Sequence, residues 1–230
     1  MFKKNHKHSQ KRWLITEIDA KSPVSEQYRT IRTNIQYSGV DQLFKTIMVS
    51  SALPEEGKST TASNLAVVFA QQGKRVLLVD ADMRKPTQYY TFNTQNLVGL
   101  TNVLTRQTNL TEAMVKTKLD NLYVLPSGPI PPNPAELLGS ESMLDFVELA
   151  TKDFDLVLFD TPPLLAVADA QILANICQGS ILVYKSGKTK IDKVAKAKDM
   201  LVAAKGKLLG GILNNKKMEK SNYYYYYGEE

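Results

Sequence analysis

The chain has 230 residues, 43% of them hydrophobic, and a formal net charge of +6, enough for one α/β domain with a sizeable core. Its single cysteine, Cys177, excludes an internal disulfide framework and agrees with a reducing cytoplasm. No stretch approaches the ~20 apolar residues of a membrane span, and the basic N-terminus has no apolar signal core behind it, so any membrane role is expected to come through a partner or surface charge.

Residues 1–20 read as a flexible arm whose first dozen positions hold Lys3, Lys4, Lys7, Lys11 and Arg12 and no acid. Ser22-Pro23 then starts a helix running from about Val24 to Tyr37. The next apolar run, Ile47-Met48-Val49, belongs to a strand at 45–51 and leads into Ser50-Ser-Ala-Leu-Pro-Glu-Glu-Gly-Lys-Ser-Thr60. Beyond it, Ser63 to Ala70 follow a helical pattern. A loop between strand and helix is where phosphates bind, because several backbone N–H groups and the helix dipole converge there. Glu55, Glu56, Gly57, Lys58, Ser59 and Thr60 line it: Lys58 supplies a mobile positive charge and Ser59 a hydroxyl suited to Mg²⁺. Ala52 stands where the general pattern starts with glycine, but the strand–loop–helix context holds.

Val76-Leu77-Leu78-Val79 suits a strand at 75–80 buried on both faces, and it ends in Asp80-Ala81-Asp82-Met83-Arg84. Carboxylates at i and i+2 of an extended chain point the same way. A strand at 121–126 precedes the rigid segment Gly128-Pro129-Ile130-Pro131-Pro132-Asn133-Pro134, which leads into a helix at Ala135. Leu156-Val157-Leu158-Phe159-Asp160-Thr161-Pro162-Pro163 is another buried strand ending in an acid, and further strands fall at 179–185 and 207–213. Alternating strands and helices predict a doubly wound, mostly parallel sheet flanked by helices. Ligands of such sheets sit at the carboxyl ends of the strands, so the loop, Asp80, Asp82 and Asp160 are expected to converge. The domain is expected to span 21–215.

The charge is uneven: residues 1–12 carry +5 and residues 185–220 carry +8, leaving −7 for the rest. No zinc-finger spacing or aromatic–basic RNA motif accompanies the lysines, so no nucleic-acid partner is expected; solvated lysines on a surface helix, facing an anionic membrane, fit better. The tail at 216–230 carries five consecutive tyrosines, Tyr223, Tyr224, Tyr225, Tyr226 and Tyr227, followed by Gly-Glu-Glu. Core packing does not account for five aromatics in succession at a chain end. Exposed phenols beside acids read as a substrate.

With these segments the chain resembles the bacterial tyrosine kinases of capsular and exopolysaccharide biosynthesis, in the Gram-positive form with a separate cytoplasmic kinase subunit. The resemblance covers residues 20–230 and rests on the Walker A loop, the Asp-x-Asp-x-Arg segment, the Asp-x-x-Pro segment and the tyrosine cluster. It also includes Glu26-Gln27-Tyr28-Arg29-Thr30-Ile31-Arg32, which matches the family's Glu-x-x-Arg-x-x-Arg oligomerisation helix. Spacing puts Glu26, Arg29 and Arg32 along one helical face, an arrangement that also suits a solvated surface helix.

The resemblance implies a P-loop NTPase fold of the deviant-Walker type and an ATP- and Mg²⁺-dependent kinase that phosphorylates its own tail in trans within a ring-like homo-oligomer. It implies that Lys58 contacts the β- and γ-phosphates, that Ser59, Asp82 and Asp160 hold the metal, and that Asp80 orients or accepts the tyrosine proton. The residues alone leave Asp80 and Asp82 interchangeable. Arg84 joins the nucleotide site, and Asn214 matches the position from which an Asn reaches the adenine, though a turn after a strand also favours Asn. The implied partners are a transmembrane polysaccharide co-polymerase that activates the enzyme at the inner face of the membrane, and a cognate tyrosine phosphatase. Glu55 departs from the family's usual Gly and would be strained if the position needs φ > 0. A P-loop ATPase acting as a positioning switch is the alternative; that group usually carries an additional lysine early in the loop, and none occurs between Ser50 and Glu56.

Overall fold

The computed structural model describes residues 14–39 and 43–217. Two helices, α1 (Ile15–Ile18) and α2 (Pro23–Tyr37), precede β1 (Thr46–Ser51), α3 (Lys58–Gln71) and β2 (Val76–Asp80). Then come α4 (Gln88–Thr91), α5 (Leu100–Leu104), α6 (Leu110–Ala113), β3 (Val115–Lys116), β4 (Leu122–Leu125), α7 (Pro134–Leu138) and α8 (Glu141–Asp153). The chain continues through β5 (Leu156–Asp160), α9 (Asp169–Ile176), β6 (Gly179–Lys185), α10 (Ile191–Ala203) and β7 (Leu208–Asn214).

Among the described residues these strands form one sheet in the order β3-β4-β2-β5-β1-β6-β7, parallel throughout except where β3 meets β4. The six strands expected from the sequence are all present. The seventh, β3, has two exposed residues, too few to leave a periodic signal.

The sheet's pleat separates two cores. Met48, Leu77, Val79, Val157, Phe159 and Leu182 face one layer of helices, while Ile47, Val49, Leu78, Leu158 and Val183 face the other. Every residue of β1, β2 and β5 is buried, as apolar runs without polar alternation require. The helix α3 is buried along nearly its whole length, from Lys58 to Ala70. On α2, Ser22 accepts from Ser25 N and Pro23 occupies the first turn, the start that Ser-Pro predicted.

The arm is shorter than expected. Leu14 is buried, Thr16 N and Oγ1 donate to Asn64 Oδ1 at 3.1 and 2.9 Å, and Gln71 Nε2 donates to the Thr16 carbonyl at 3.0 Å. Residues 14–20, read from the sequence as part of the arm, are therefore attached to the domain through Leu14 and Thr16. Burying Leu14 contributes about 1.5–3 kcal/mol, a contact that the short apolar run Trp13-Leu14-Ile15 does not by itself announce. Cys177 ends α9 in the core, where burial pushes its thiol up, in keeping with a packing role.

Candidate active site

Strand order decides which residues meet. The neighbours β2, β5 and β1 form the sheet's centre, with Asp80 opposite Asp160 and Val49 opposite Asp160 in register. The loop after β1 and the acids ending β2 and β5 thus share one rim. Lys58 stands at the start of α3, its Nζ 2.7 Å from Asp82 Oδ2, 3.3 Å from Ser59 Oγ and 3.5 Å from Asp160 Oδ1. An ammonium thus fills the space among the hydroxyl and two carboxylates. Burial pulls its pKa down, but Asp160, Asp82 and Asp80 outweigh burial and leave it raised.

Asp80 is fully buried; its Oδ2 accepts from Thr87 N at 2.7 Å and Gln88 N at 2.8 Å. Burial first, and then the facing Asp160, raise it to about 8, against the opposing pull of those two amides. Asp160 Oδ2 accepts from Gln88 Nε2 at 2.8 Å. Among the described residues, Asp80 Oδ1 and Asp160 Oδ1 have no hydrogen-bond partner.

The loop itself uses two left-handed residues. Glu55 sits at φ 64°, so this position does require positive φ, and Gly57, the N-cap of α3, sits at φ 96°. A side chain at Gly57 would place its Cβ 2.0 Å from Asn214 Nδ2. That amide donates to the Glu56 carbonyl at 2.9 Å, bringing the end of β7 onto the loop. The Glu56 carboxylate, almost fully buried, accepts from Leu53 N at 2.8 Å and from Thr189 Oγ1. Beside these latches lies a cavity of about 450 Å³ lined by Tyr184, Thr189, Ile191, Val194 and Leu213 among others.

Several candidates lie elsewhere. Arg84 turns away from the loop: its Nε and Nη2 donate to Asp169 Oδ2 and Oδ1 at 2.8 and 3.0 Å. The buried Asp169 in the first turn of α9 captures the guanidinium. On α2, Arg29 pairs with Glu26 one turn earlier, and Arg32 Nη1 donates to the Val68 carbonyl of α3 at 2.8 Å. Tyr223 to Tyr227 and the basic residues of the arm's first dozen positions lie outside the described residues.

A sequence profile of the AAA domain family matches residues 44–184. The chain is 55% identical over 214 residues to the tyrosine-protein kinase YwqD of Bacillus subtilis (strain 168), covering 93% of this chain and 90% of that protein. It is 42% identical over 190 residues to the tyrosine-protein kinase CpsD of Streptococcus agalactiae serotype III (strain NEM316), covering 82% and 81%. The crystal structure of the chimerical protein CapA2B2 superimposes with a TM-score of 0.86 at 40% identity, covering 89% of this chain and 90% of that one. The chain belongs to the bacterial tyrosine kinases.

In this kinase the fold is that of the P-loop NTPases, as the motifs implied. Sequence reasoning missed Gln88, Asp169 and Thr189. Gln88 sits in Pro86-Thr87-Gln88-Tyr89, which reads as loop, and Thr189 sits in a lysine-rich stretch that draws attention to charge. Asp169 carries a weak signal, an acid at a helix start, but nothing in the sequence ties it to Arg84. Among the described residues no helix of the kinase is long and apolar enough to cross a membrane.

Proposed function

We propose that this kinase transfers the γ-phosphoryl group of ATP to the tyrosines of its own C-terminal cluster, Tyr223 to Tyr227. The transfer runs in trans within a ring-like homo-oligomer and so regulates capsule or exopolysaccharide polymerisation and export. The observation that carries this reading is the meeting of Lys58, Ser59, Asp80, Asp82 and Asp160 on the rim of β1, β5 and β2.

The residues fit Mg-ATP. The backbone amides of 55–60 would supply the phosphate cradle at the N-terminus of α3, which Gly57 caps in the left-handed conformation. One hydroxyl and two carboxylates now surround the Lys58 ammonium, and Asp160 Oδ1, 3.5 Å from it, accepts no hydrogen bond among the described residues. This donor set suits a small hard cation that keeps part of its water shell. Ser59, Asp82 and Asp160 would hold Mg²⁺, which when bound neutralises charge on the phosphate oxygens. Lys58 would leave Asp82 for the β- and γ-phosphates. The cavity beside Asn214, walled by Tyr184 and Leu213, is where the base fits.

Phosphoryl transfer asks for positioning and charge neutralisation more than covalent chemistry. Asp80 has a free Oδ1 and a proton affinity raised to about 8. Near neutral pH its smaller, ionised fraction is a stronger base than an ordinary carboxylate, which suits orienting or accepting a phenolic proton. Each phosphate added to the cluster brings roughly −1.5 to −2 charge. Several on adjacent tyrosines would repel one another and eject the tail, opening the ring for a cognate tyrosine phosphatase to reset.

Glu26, Arg29 and Arg32 on α2 form the proposed ring contact. The activating partner is the cytoplasmic tail of a transmembrane co-polymerase, which brings the cytoplasmic kinase to the inner face of the membrane. Intact-mass spectrometry after incubation with Mg-ATP, with and without a peptide of that tail, tests the reading. Stepwise phosphate additions mapping to Tyr223–Tyr227, absent in Lys58→Met, are expected. ATP turnover without any mass change would instead identify a positioning switch.

A further inference from the structure

A single residue holds both fully buried carboxylates at once. The Gln88 backbone N–H donates to Asp80 Oδ2 at 2.8 Å and its side-chain Nε2 donates to Asp160 Oδ2 at 2.8 Å. In each carboxylate the second oxygen, Oδ1, is left without a hydrogen-bond partner among the described residues. In Asp160 that free oxygen is the one 3.5 Å from Lys58 Nζ, toward the centre of the site. Asp80 and Asp160 are register partners on adjacent strands, and Gln88 donates to both, alongside Thr87 N on Asp80 and the Lys58 ammonium near Asp160.

The amide is itself held from behind. Ser63 Oγ lies 2.7 Å from Gln88 Oε1 and 2.8 Å from the Ser59 carbonyl, so its one proton is shared between the two acceptors, and the Gln88 NH₂ group faces Asp160 Oδ2. The same Nε2 lies 3.3 Å from the Ser59 carbonyl, linking the backbone of the hydroxyl ligand to the carboxylate. Gln88 and Ser63 are both fully buried, so neither works by direct contact with solvent. The geometry is that of an outer partner that fixes which oxygen of a metal-holding carboxylate is presented.

We infer that Gln88 is a positioning residue for the transfer reaction, fixing Asp160 so that Oδ1 faces the cation and Oδ2 stays occupied. Ser63 sets the direction of the Gln88 amide. This inference rests on the Mg-nucleotide reading of the site. Four residues beyond the Asp-x-Asp-x-Arg segment, the chain that leaves Asp82 thus returns to clamp the acid of the adjacent strand.

The test measures binding of ADP to the full-length chain by calorimetry, in EDTA and in excess MgCl₂. Gln88→Met keeps the length of the side chain and removes its donor. Its affinity for ADP in EDTA should stay within about threefold of wild type, because the phosphate cradle is untouched. The tightening produced by Mg²⁺ should fall by about tenfold or more, the usual effect of losing such an outer partner. In turnover assays kcat should drop while KM for ATP at saturating Mg²⁺ changes little. Ser63→Ala, which leaves every ligand in place, should show the same pattern at about threefold and serves as the test if Gln88→Met does not fold. Loss of ADP affinity equally in EDTA and in Mg²⁺ would mark Gln88 as a general packing residue and overturn the inference. So would full retention of the Mg²⁺ response in both variants. If the wild type shows no Mg²⁺ response at all, the metal-nucleotide reading fails first, and that result is distinct from failure of the variants alone.

Discussion

Arg84 offers the sharpest test of how this site is composed, because its sequence motif places it with the nucleotide and the structure places it on Asp169. The pair is bidentate, at 2.8 and 3.0 Å, with the acid side chain at 0% exposure and the guanidinium side chain at 42%. Removing one partner of a fully buried pair costs about 3–5 kcal/mol, whereas a wet surface pair is worth about 0.2–1 kcal/mol. Arg84→Ala lies between these limits. Among the described residues, it leaves a buried carboxylate compensated by the first turn of α9, worth about 0.3–1 kcal/mol. The expected loss is therefore about 2–3 kcal/mol, or a drop in Tm of roughly 4–12 °C for a chain of this size. Asp169→Asn keeps an acceptor and should cost about 1 kcal/mol. The two changes should not add: urea denaturation of the single and double variants should give a coupling of about 1.5 kcal/mol. ADP affinity of Arg84→Ala should stay within about threefold of wild type. Additivity within about 0.5 kcal/mol, or a tenfold loss of ADP affinity (about 1.4 kcal/mol), would refute the assignment and return Arg84 to the nucleotide.

Three other outcomes are expected. Gly57→Ala combines φ 96° with a Cβ 2.0 Å from Asn214 Nδ2, so ADP affinity should fall at least ~100-fold, with about 1–3 kcal/mol lost from stability; calorimetric affinity within about threefold of wild type would remove the loop from the site. Asp80, raised to about 8, binds a proton in the folded state that the unfolded chain releases near pH 4. Its contribution to stability is thus fully present below about pH 4 and is lost as pH rises through about 8. In EDTA, wild-type Tm should fall between pH 6 and pH 9 relative to Asp80→Asn, and parallel profiles would contradict the burial argument. Arg32→Ala deletes the donor to the Val68 carbonyl and should lower stability by about 1 kcal/mol, read as a shift in urea midpoint. Light scattering of the same variant checks the proposed ring contact, which an unchanged assembly mass would exclude.

The local parts of this protein were written in the sequence. Apolar runs such as Leu156-Val157-Leu158-Phe159 without polar alternation can only be strands covered on both sides, and Ser22-Pro23 starts a helix by satisfying its own first amides. The phosphate loop was equally legible, because a strand, a glycine at positive φ and a helix N-terminus are contiguous in the chain. Whether residue 55 needs positive φ stayed open in the sequence, which showed only that Glu55 stands where the family usually has glycine; the structure puts it at φ 64°. The two-residue β3 and the docking of Leu14 and Thr16 were not legible, since each depends on a partner distant in sequence. Tertiary structure alone decided the strand order that sets Asp80 against Asp160, and with it the proton affinity that burial first, and then the facing acid, raises. It alone sent Arg84 to Asp169 and laid Asn214 and Thr189 on Glu56. It also placed Gln88 between the acids. Periodicity reports how a residue relates to its own strand or helix; a hydrogen bond across 72 residues, such as that from Gln88 to Asp160, exists only once the sheet has assembled.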